Sequence, residues 1–148
     1  MSFHMTYDEK HYFCFFYVFF LFQFRCTNCG ESRDYWQYVV VNEVLDIPGS
    51  RGEANLVEKC KLCNRMNTVS IVKDSLGSYS STEHNEEWQS MIQLDCRGLE
   101  PIDFDFRMGW SAVGAETSTV FDDIDLSEKV GFICSFSVSL KCIDHYSF

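Results

Sequence analysis

Runs of apolar residues along the chain predict strands rather than helices. Alternation between apolar and polar residues at every second position is typical of a half-buried β-strand. Segments with this period, or rich in aromatic and β-branched residues, lie at 22–25, 35–45, 67–73, 88–95 and 102–107. No stretch shows a long, capped helical pattern. The sequence therefore predicts an all-β (β-rich) single domain, arranged as an antiparallel sandwich or a barrel-like sheet.

The segment 12–22 is apolar and aromatic without interruption. It is just over half the length of a membrane-spanning helix, which needs about 20 apolar residues. Both acidic and basic residues precede it and no small-residue cleavage site precedes Arg25, so a signal peptide fits poorly. Aromatic density favours a buried strand. A segment foreign to the ordinary form of the protein and a membrane-associated segment are the alternatives.

Two cysteine pairs carry the clearest chemistry: Cys26 with Cys29, and Cys60 with Cys63. The two-residue gap in each pair lets both thiolates face one metal ion, and four thiolates around one ion are typical of structural zinc. Thirty residues separate the pairs, more than the roughly 15–20 of a compact zinc ribbon. We therefore predict a tetrahedral four-cysteine zinc site that joins two parts of a larger domain.

Each cysteine pair is followed by a residue that tolerates a left-handed backbone, Gly30 in the first and Asn64 in the second. Such a residue lets successive backbone N–H groups point at the sulfurs and stabilise the thiolates. The sequence thus predicts two similar strand-end turns, called here the first knuckle (26–30) and the second knuckle (60–64). His84 lies in a polar connection, and the site is complete without it.

The composition narrows the class of partner. The chain of 148 residues has a formal net charge of -10 and is 46% hydrophobic. Negative charge opposes binding to phosphate backbones and to anionic lipid surfaces. We expect a protein partner, no nucleic acid, no stable membrane insertion and a monomeric chain.

The remaining four cysteines are scattered among apolar neighbours, which favours buried free thiols over a disulfide framework. They are Cys14, Cys96, Cys134 and Cys142. Free thiols and a thiolate metal site both point to a reducing compartment. We therefore expect a cytoplasmic or nuclear location.

An offset of 70 residues relates parts of the chain. Five identities occur in the 42 positions from 22 to 63, and they surround the cysteine pairs. A true repeat would give two similar β-units, of which only the first kept its metal. Coincidence is the alternative.

The residues favour a structural zinc site on a protein-interaction module without catalytic activity. All four ligands are thiolates, which leaves no open coordination position for a catalytic water. The alternative is a thiol-based metal relay, for zinc or copper, or a redox partner protein. Redox chemistry of the thioredoxin kind needs a helix N-terminus beside the thiol, and no helical pattern follows Cys29. An enzyme is not expected, because none of the four histidines lies in a recognisable motif.

Several motifs in order resemble one known family. They are CTNCGE from Cys26, RGEANLVEKCKLCNR ending at Arg65, LDCRGLEP ending at Pro101, and the spaced Trp110, Glu116, Ser118, Phe121, Asp123 and Leu126. The pattern resembles the eukaryotic CxxC-motif-containing zinc-binding proteins, formerly a domain of unknown function. This resemblance implies a β-rich domain, a cytosolic or nuclear home, and zinc held by Cys26, Cys29, Cys60 and Cys63. It implies no catalytic residues.

Both ends of the chain depart from the family pattern. We predict that 22–129 is the zinc-binding domain, and that 1–21 and 130–148 are atypical segments. Alternative exons or a mistaken gene model would produce such ends. One or two edge strands of the domain would then be missing or replaced, at a cost in solubility.

Overall fold

The computed structural model describes residues 3–6, 19–77, 79–80, 90–107, 110–114 and 119–125. These residues form twelve β-strands and no helix, so none of them belongs to a helix able to cross a membrane. The strands are β1 Phe3–Thr6, β2 Phe19–Cys26, β3 Gln37–Val40, β4 Leu45–Asp46, β5 Glu53–Ala54, β6 Leu56–Lys59, β7 Met66–Ile71, β8 Tyr79–Ser80, β9 Leu94–Arg97, β10 Leu99–Asp105, β11 Trp110–Gly114 and β12 Val120–Ile124. Every pairing between them is antiparallel. The all-β prediction is confirmed for the described part of the chain.

The chain divides into two compact units. Among the described residues, the larger unit comprises 19–72 and 93–105, and the smaller unit comprises the rest. The larger unit holds sheets with the strand orders β10-β2-β3, β4-β5 and β6-β7-β9, and the smaller unit holds the order β12-β11-β1-β8. Each order has two ends, so none of these described sheets closes into a ring.

Strand β2 is the centre of the larger unit, because it pairs with β10 on one side and with β3 on the other. Its side chains at 20–22 are all buried, so both faces of the strand are covered. The ring centroid of Phe22 lies 5.0 Å from that of Phe104 and 5.5 Å from that of Phe24. This aromatic cluster fixes the strand whose last residue is Cys26.

The strand predicted in the apolar run is confirmed for residues 19–22, and its side chains at 20–22 are buried. The rest of that run, 12–18, lies outside the described residues. Apolar and polar residues do not alternate at 20–22, because both faces of the strand are covered. Strands buried on both faces have continuous apolar sequences.

Asn55 is a buried polar side chain that ties two parts of the larger unit together. Its Nδ2 donates to the carbonyl oxygens of Val40 at 2.9 Å and Glu43 at 3.0 Å. Its Oδ1 accepts the backbone N–H of Ile71 at 2.8 Å. The amide therefore joins the end of β3 to the end of β7, and β6, which follows Asn55 directly, leads to Cys60.

Gly98 separates two strands that enter different sheets. β9 pairs with β7, whereas β10 pairs with β2. Gly98 has a φ of 80°, in the left-handed region that side chains other than glycine rarely adopt. The CRGLEP string thus contains the turn through which the chain passes from the β6-β7-β9 sheet to the β10-β2-β3 sheet.

Two predicted strands differ from those observed. Among the described residues, the strand predicted over 88–95 is confirmed only at Leu94 and Asp95, where β9 begins, and is wrong at 90–93, which are irregular. The carbonyls of Met91 and Gln93 accept N–H groups from the preceding segment instead of a ladder partner. The strand predicted over 102–107 begins earlier, at Leu99, and passes through Pro101. Proline is tolerated there because β10 lies at the edge of its sheet.

Two short strands differ from what the sequence pattern indicates. The segment 49–55, which has no predicted strand, contains the two-residue strand β5, which pairs with β4. The predicted strand over 35–45 is two strands, β3 and β4, separated by a turn. Periodicity did not reveal these, because two-residue strands are too short to show a period.

The smaller unit is built on β11, which pairs with β1 and β12. Trp110 and Ala112 of β11 are buried. The indole N–H of Trp110 donates to the carbonyl oxygen of Phe106 at 2.7 Å, and the two rings lie 5.7 Å apart. Burial and this hydrogen bond give Trp110 a structural role in its unit.

Candidate metal centre

The structure brings four sulfur atoms together in the larger unit. The Sγ atoms of Cys26, Cys29, Cys60 and Cys63 all lie within 4.8 Å of one another. Two separations across the pairs are 3.8 Å, from Cys26 to Cys63, and 3.5 Å, from Cys29 to Cys60. Sulfurs placed about 2.3 Å from one zinc ion in a tetrahedron would be about 3.8 Å apart. The donor set and its spacing therefore fit one zinc ion.

Both knuckles use the same backbone hydrogen bonds. In each, the N–H of the first cysteine donates to the carbonyl five residues later, and the residue four positions later donates back to the carbonyl of that cysteine. The distances are 2.8 and 2.8 Å in the first knuckle and 2.9 and 3.0 Å in the second. The predicted likeness of the two knuckles is confirmed by this matching geometry.

The predicted left-handed residues occupy equivalent places. Gly30 has a φ of 76° and Asn64 a φ of 60°. The next backbone N–H in each case, from Glu31 and Arg65, is hydrogen-bonded to the second cysteine of its pair. The left-handed turn thus aims a donor at a sulfur, as the sequence predicted.

Burial differs within each pair. Cys26 and Cys60, the first cysteines of the two pairs, are buried, whereas Cys29 and Cys63 are half-buried. One side of the cluster therefore faces the interior of the larger unit and the other side is accessible from solvent.

The surroundings of the thiols separate their pKa values in the metal-free protein. Burial raises the pKa of Cys26, but the N–H groups of Asn28 and Cys29 outweigh it and hold the pKa below its usual value. The N–H of Arg65 and the side chain of Asn28 lower the pKa of Cys63 to about 6. Hydrogen-bond donors thus favour the thiolate form that a metal ion requires.

The other two thiols have raised pKa values. At Cys60 the N–H of Cys63 lowers the pKa, but the carboxylate of Glu31 and burial outweigh it, and the pKa rises to about 12. At Cys29 the N–H of Glu31 lowers the pKa, while burial and the thiols of Cys63 and Cys26 raise it above its usual value. Since adjacent thiolates repel one another, a dication is needed to hold all four deprotonated.

Glu31 connects the two knuckles. Its Oε2 accepts the thiol of Cys60 at 2.8 Å and the backbone N–H of Leu62 at 3.1 Å. These hydrogen bonds, the one from Cys60 first, lower the pKa of the Glu31 carboxyl. Sequence reasoning missed this residue. The only indication in the sequence was an acidic residue directly after the first knuckle. Its partner Leu62 lies 31 positions further along the chain.

Arg33 makes a second connection between the knuckles. Its guanidinium donates to the carbonyl of Lys59 at 2.8 Å and lies 3.2 Å from the carboxylate of Glu58. The arginine and glutamate side chains are only 15% and 12% exposed. The pair therefore fixes the segment after the first knuckle against β6, the strand that leads into the second knuckle.

Of the residues predicted to lie outside the metal site, only Cys96 is among the described residues. Cys96 is buried in β9 and is not part of the four-cysteine cluster, as expected. His84, Cys14, Cys134 and Cys142 lie outside the described residues.

The chain is similar to known proteins. The family model for the CXXC motif containing zinc binding proteins of eukaryotes matches residues 16–132. The chain belongs to this family. The matched range, 16–132, extends beyond both ends of the zinc-binding domain predicted over 22–129. The limits of that domain stay a prediction. Family membership identifies a zinc-binding protein, and the structure gives it a cluster of four cysteine sulfurs.

Relatives of the family occur in distant animals. The chain is 64% identical over 105 residues to UPF0587 protein F46B6.12 of Caenorhabditis elegans, covering 71% of this chain and 62% of that protein. It is 43% identical over 105 residues to the human CXXC motif containing zinc binding protein, covering 71% of this chain and 65% of the human one. The chain thus spans a little under two thirds of the length of these relatives.

Two solved structures have the same fold. The crystal structure of C1orf123 superimposes with a TM-score of 0.68 at 40% sequence identity, over 75% of this chain and 69% of that chain. A hypothetical protein from Plasmodium falciparum superimposes with a TM-score of 0.69 at 25% identity, over 86% of this chain and 76% of that chain.

Gly30→Ala is expected to lower the free energy of unfolding by about 1–2 kcal/mol, because a β-carbon is strained in the left-handed region. No described atom beyond its chain neighbours lies within 4 Å of the Cβ position, so the loss isolates backbone strain. Gly30→Asn should cost less, since Asn64 occupies the equivalent place. Urea unfolding of the zinc-loaded proteins measures both, and equal losses for alanine and asparagine would contradict this account.

Proposed function

We propose that Cys26, Cys29, Cys60 and Cys63 hold one structural zinc ion. The observation that carries this proposal is the cluster of four sulfurs within 4.8 Å, supplied by two knuckles of the same geometry. Thiolates are the ligands of structural zinc, and four of them complete a tetrahedron. The ion would join the end of β2 to the turn after β6. These two parts of the larger unit are far apart in the sequence, since thirty residues lie between Cys29 and Cys60.

The complete thiolate set favours a non-catalytic role. Catalytic zinc keeps one coordination position for water or substrate, and four protein ligands leave none. The knuckle amides and the Arg33–Glu58 pair further hold the ligands in a fixed arrangement. We therefore propose that the protein is not an enzyme and that the metal maintains its fold.

The proposed biological role is protein–protein interaction. Leu62, between the cysteines of the second knuckle, is 67% exposed. This apolar side chain would be available for contact with a partner protein. The net charge of -10 disfavours nucleic acid and anionic membranes, so we propose a protein partner. A thiolate metal site and free thiols suit a reducing compartment, so we also propose a cytoplasmic or nuclear location, and a monomeric chain.

A metal relay for zinc or copper is the second candidate, and unequal burial of the thiols favours it. Cys29 and Cys63 are half-buried, so an acceptor has access to one ligand of each pair. Direct transfer of the metal between proteins would require such access, because an acceptor ligand must reach the metal as a donor ligand leaves.

Metal exchange distinguishes the two candidates. Purified, zinc-loaded protein is mixed with an excess of a chromogenic chelator, and release is followed over time. A structural site should keep its zinc for hours, at the pace of local unfolding. Release within seconds, without loss of the circular dichroism spectrum, would contradict the structural proposal and support the relay.

A further inference from the structure

Asn67 is a fully buried polar side chain beside the metal centre. It lies on β7 and its exposure is 0%. Its Nδ2 donates a hydrogen bond to Sγ of Cys26 at 3.6 Å, across 41 positions of sequence. This distance is normal for a sulfur acceptor, whose radius exceeds that of oxygen. Asn67 is thus a side-chain donor to a sulfur of the cluster from outside both knuckles.

The other end of the Asn67 amide has no such partner. Among the described residues, its Oδ1 is buried without a hydrogen bond. A buried, unsatisfied carbonyl costs stability, and a leucine of similar size would avoid the cost. The Oδ1 atom therefore gives no reason for an amide at this position. The hydrogen bond from Nδ2 to Cys26 does give one.

Gly98 makes room for this amide. A Cβ at Gly98 would lie 2.2 Å from Oδ1 of Asn67 and 3.0 Å from its Cγ, which is closer than atoms approach. The carbonyl of Gly98 also accepts the N–H of Thr27 at 3.1 Å, within the first knuckle. Gly98 therefore holds the first knuckle through its carbonyl and leaves space for Asn67 through its missing side chain.

We propose that Asn67 is a positioning residue for the zinc site. Its side-chain N–H orients the Cys26 thiolate and withdraws charge from it, and the absence of a side chain at Gly98 leaves room for the amide. The proposal rests on the proposed coordination of zinc by the four cysteines. A four-thiolate zinc centre carries two net negative charges, and a hydrogen-bond donor to a buried sulfur offsets part of that charge. Cys26 is buried, so solvent does not supply this donor.

The Asn67→Leu variant tests the role of the donor while nearly preserving side-chain volume. We expect zinc affinity to fall by about 10- to 100-fold, the usual effect of removing a partner that orients a metal ligand. With cobalt in place of zinc, the sulfur-to-cobalt absorption band should move to lower energy, because an unbonded thiolate gives up charge more readily. Asn42→Leu is the matched control, since Asn42 is exposed, and it should change neither value. A folded Asn67→Leu protein with unchanged affinity and spectrum overturns the proposal.

A measurement on the unaltered protein decides the question even if the variant fails to fold. The chain is loaded with an NMR-active cadmium isotope, and couplings between the metal and nearby protons are recorded. We expect coupling to the β-protons of all four cysteines, and coupling through the hydrogen bond to a side-chain amide proton of Asn67. Four cysteine couplings without the Asn67 coupling would overturn only the positioning role. Failure to bind cadmium would overturn the metal site itself.

Discussion

Cys29→Ser is expected to lose zinc and to unfold the larger unit. A serine hydroxyl is a poor zinc ligand, and three remaining thiolates would repel one another without a tightly held dication. A structural zinc site contributes roughly 10 kcal/mol or more to folding, which is comparable to a total domain stability of about 5–15 kcal/mol. The measurements are zinc content by elemental analysis and thermal unfolding by circular dichroism.

The matched control for Cys29→Ser is Cys96→Ser. Cys96 is buried in the same unit but lies outside the cluster. Its replacement should leave one zinc per chain and lower the melting temperature only modestly. A Cys29→Ser protein that keeps its zinc and the melting temperature of the original chain would contradict the proposed site.

Phe22→Ala is expected to lower the free energy of unfolding by about 3–5 kcal/mol, the usual cost of a large-to-small change in a core. Phe22 is 1% exposed and packs against the rings of Phe24 and Phe104. The cavity would lie in β2, four residues before Cys26. Urea unfolding of the zinc-loaded protein gives the loss.

Phe19→Ala is the matched control for Phe22→Ala, because it makes the same substitution on the same strand. Phe19 is 47% exposed, so its replacement should cost about 1 kcal/mol or less. Similar losses at both positions would mean that β2 is not covered on both faces. The account of how the core holds Cys26 in place would then be wrong.

The knuckles were predictable because their determinants are local. Two cysteines separated by two residues, followed by glycine or asparagine, specify a turn that the backbone builds from five or six consecutive residues. Both left-handed residues, Gly30 and Asn64, occupy the expected conformation. The joining of the two pairs was predictable for a chemical reason, since one zinc ion takes four thiolates.

Contacts between distant positions were not predictable from the pattern of apolar residues. Asn67 was part of a predicted strand, but nothing in its neighbourhood indicates that its amide meets Cys26. Glu31 follows the first knuckle, yet its partners are in the second. Periodicity reports which face of a strand is buried, and it carries no information on which polar groups meet across sheets.

Strand boundaries failed where backbone hydrogen bonds, rather than side chains, decide the structure. The residues 90–93 look like part of a strand by composition, but the carbonyls of Met91 and Gln93 accept the N–H groups of Gly77 and Val72. β10 extends back through Pro101, which an edge strand tolerates and a central strand does not. Pairing partners and edge positions are properties of the assembled sheets.

X-ray absorption at the zinc edge identifies the ligands of the metal directly. Purified protein with the native sequence is measured in solution without added metal or chelator. We expect four sulfur ligands at about 2.3 Å and no nitrogen or oxygen ligand, with one zinc per chain by elemental analysis of the same sample. A shell containing nitrogen or oxygen, or a chain that purifies and remains folded without zinc, would contradict it.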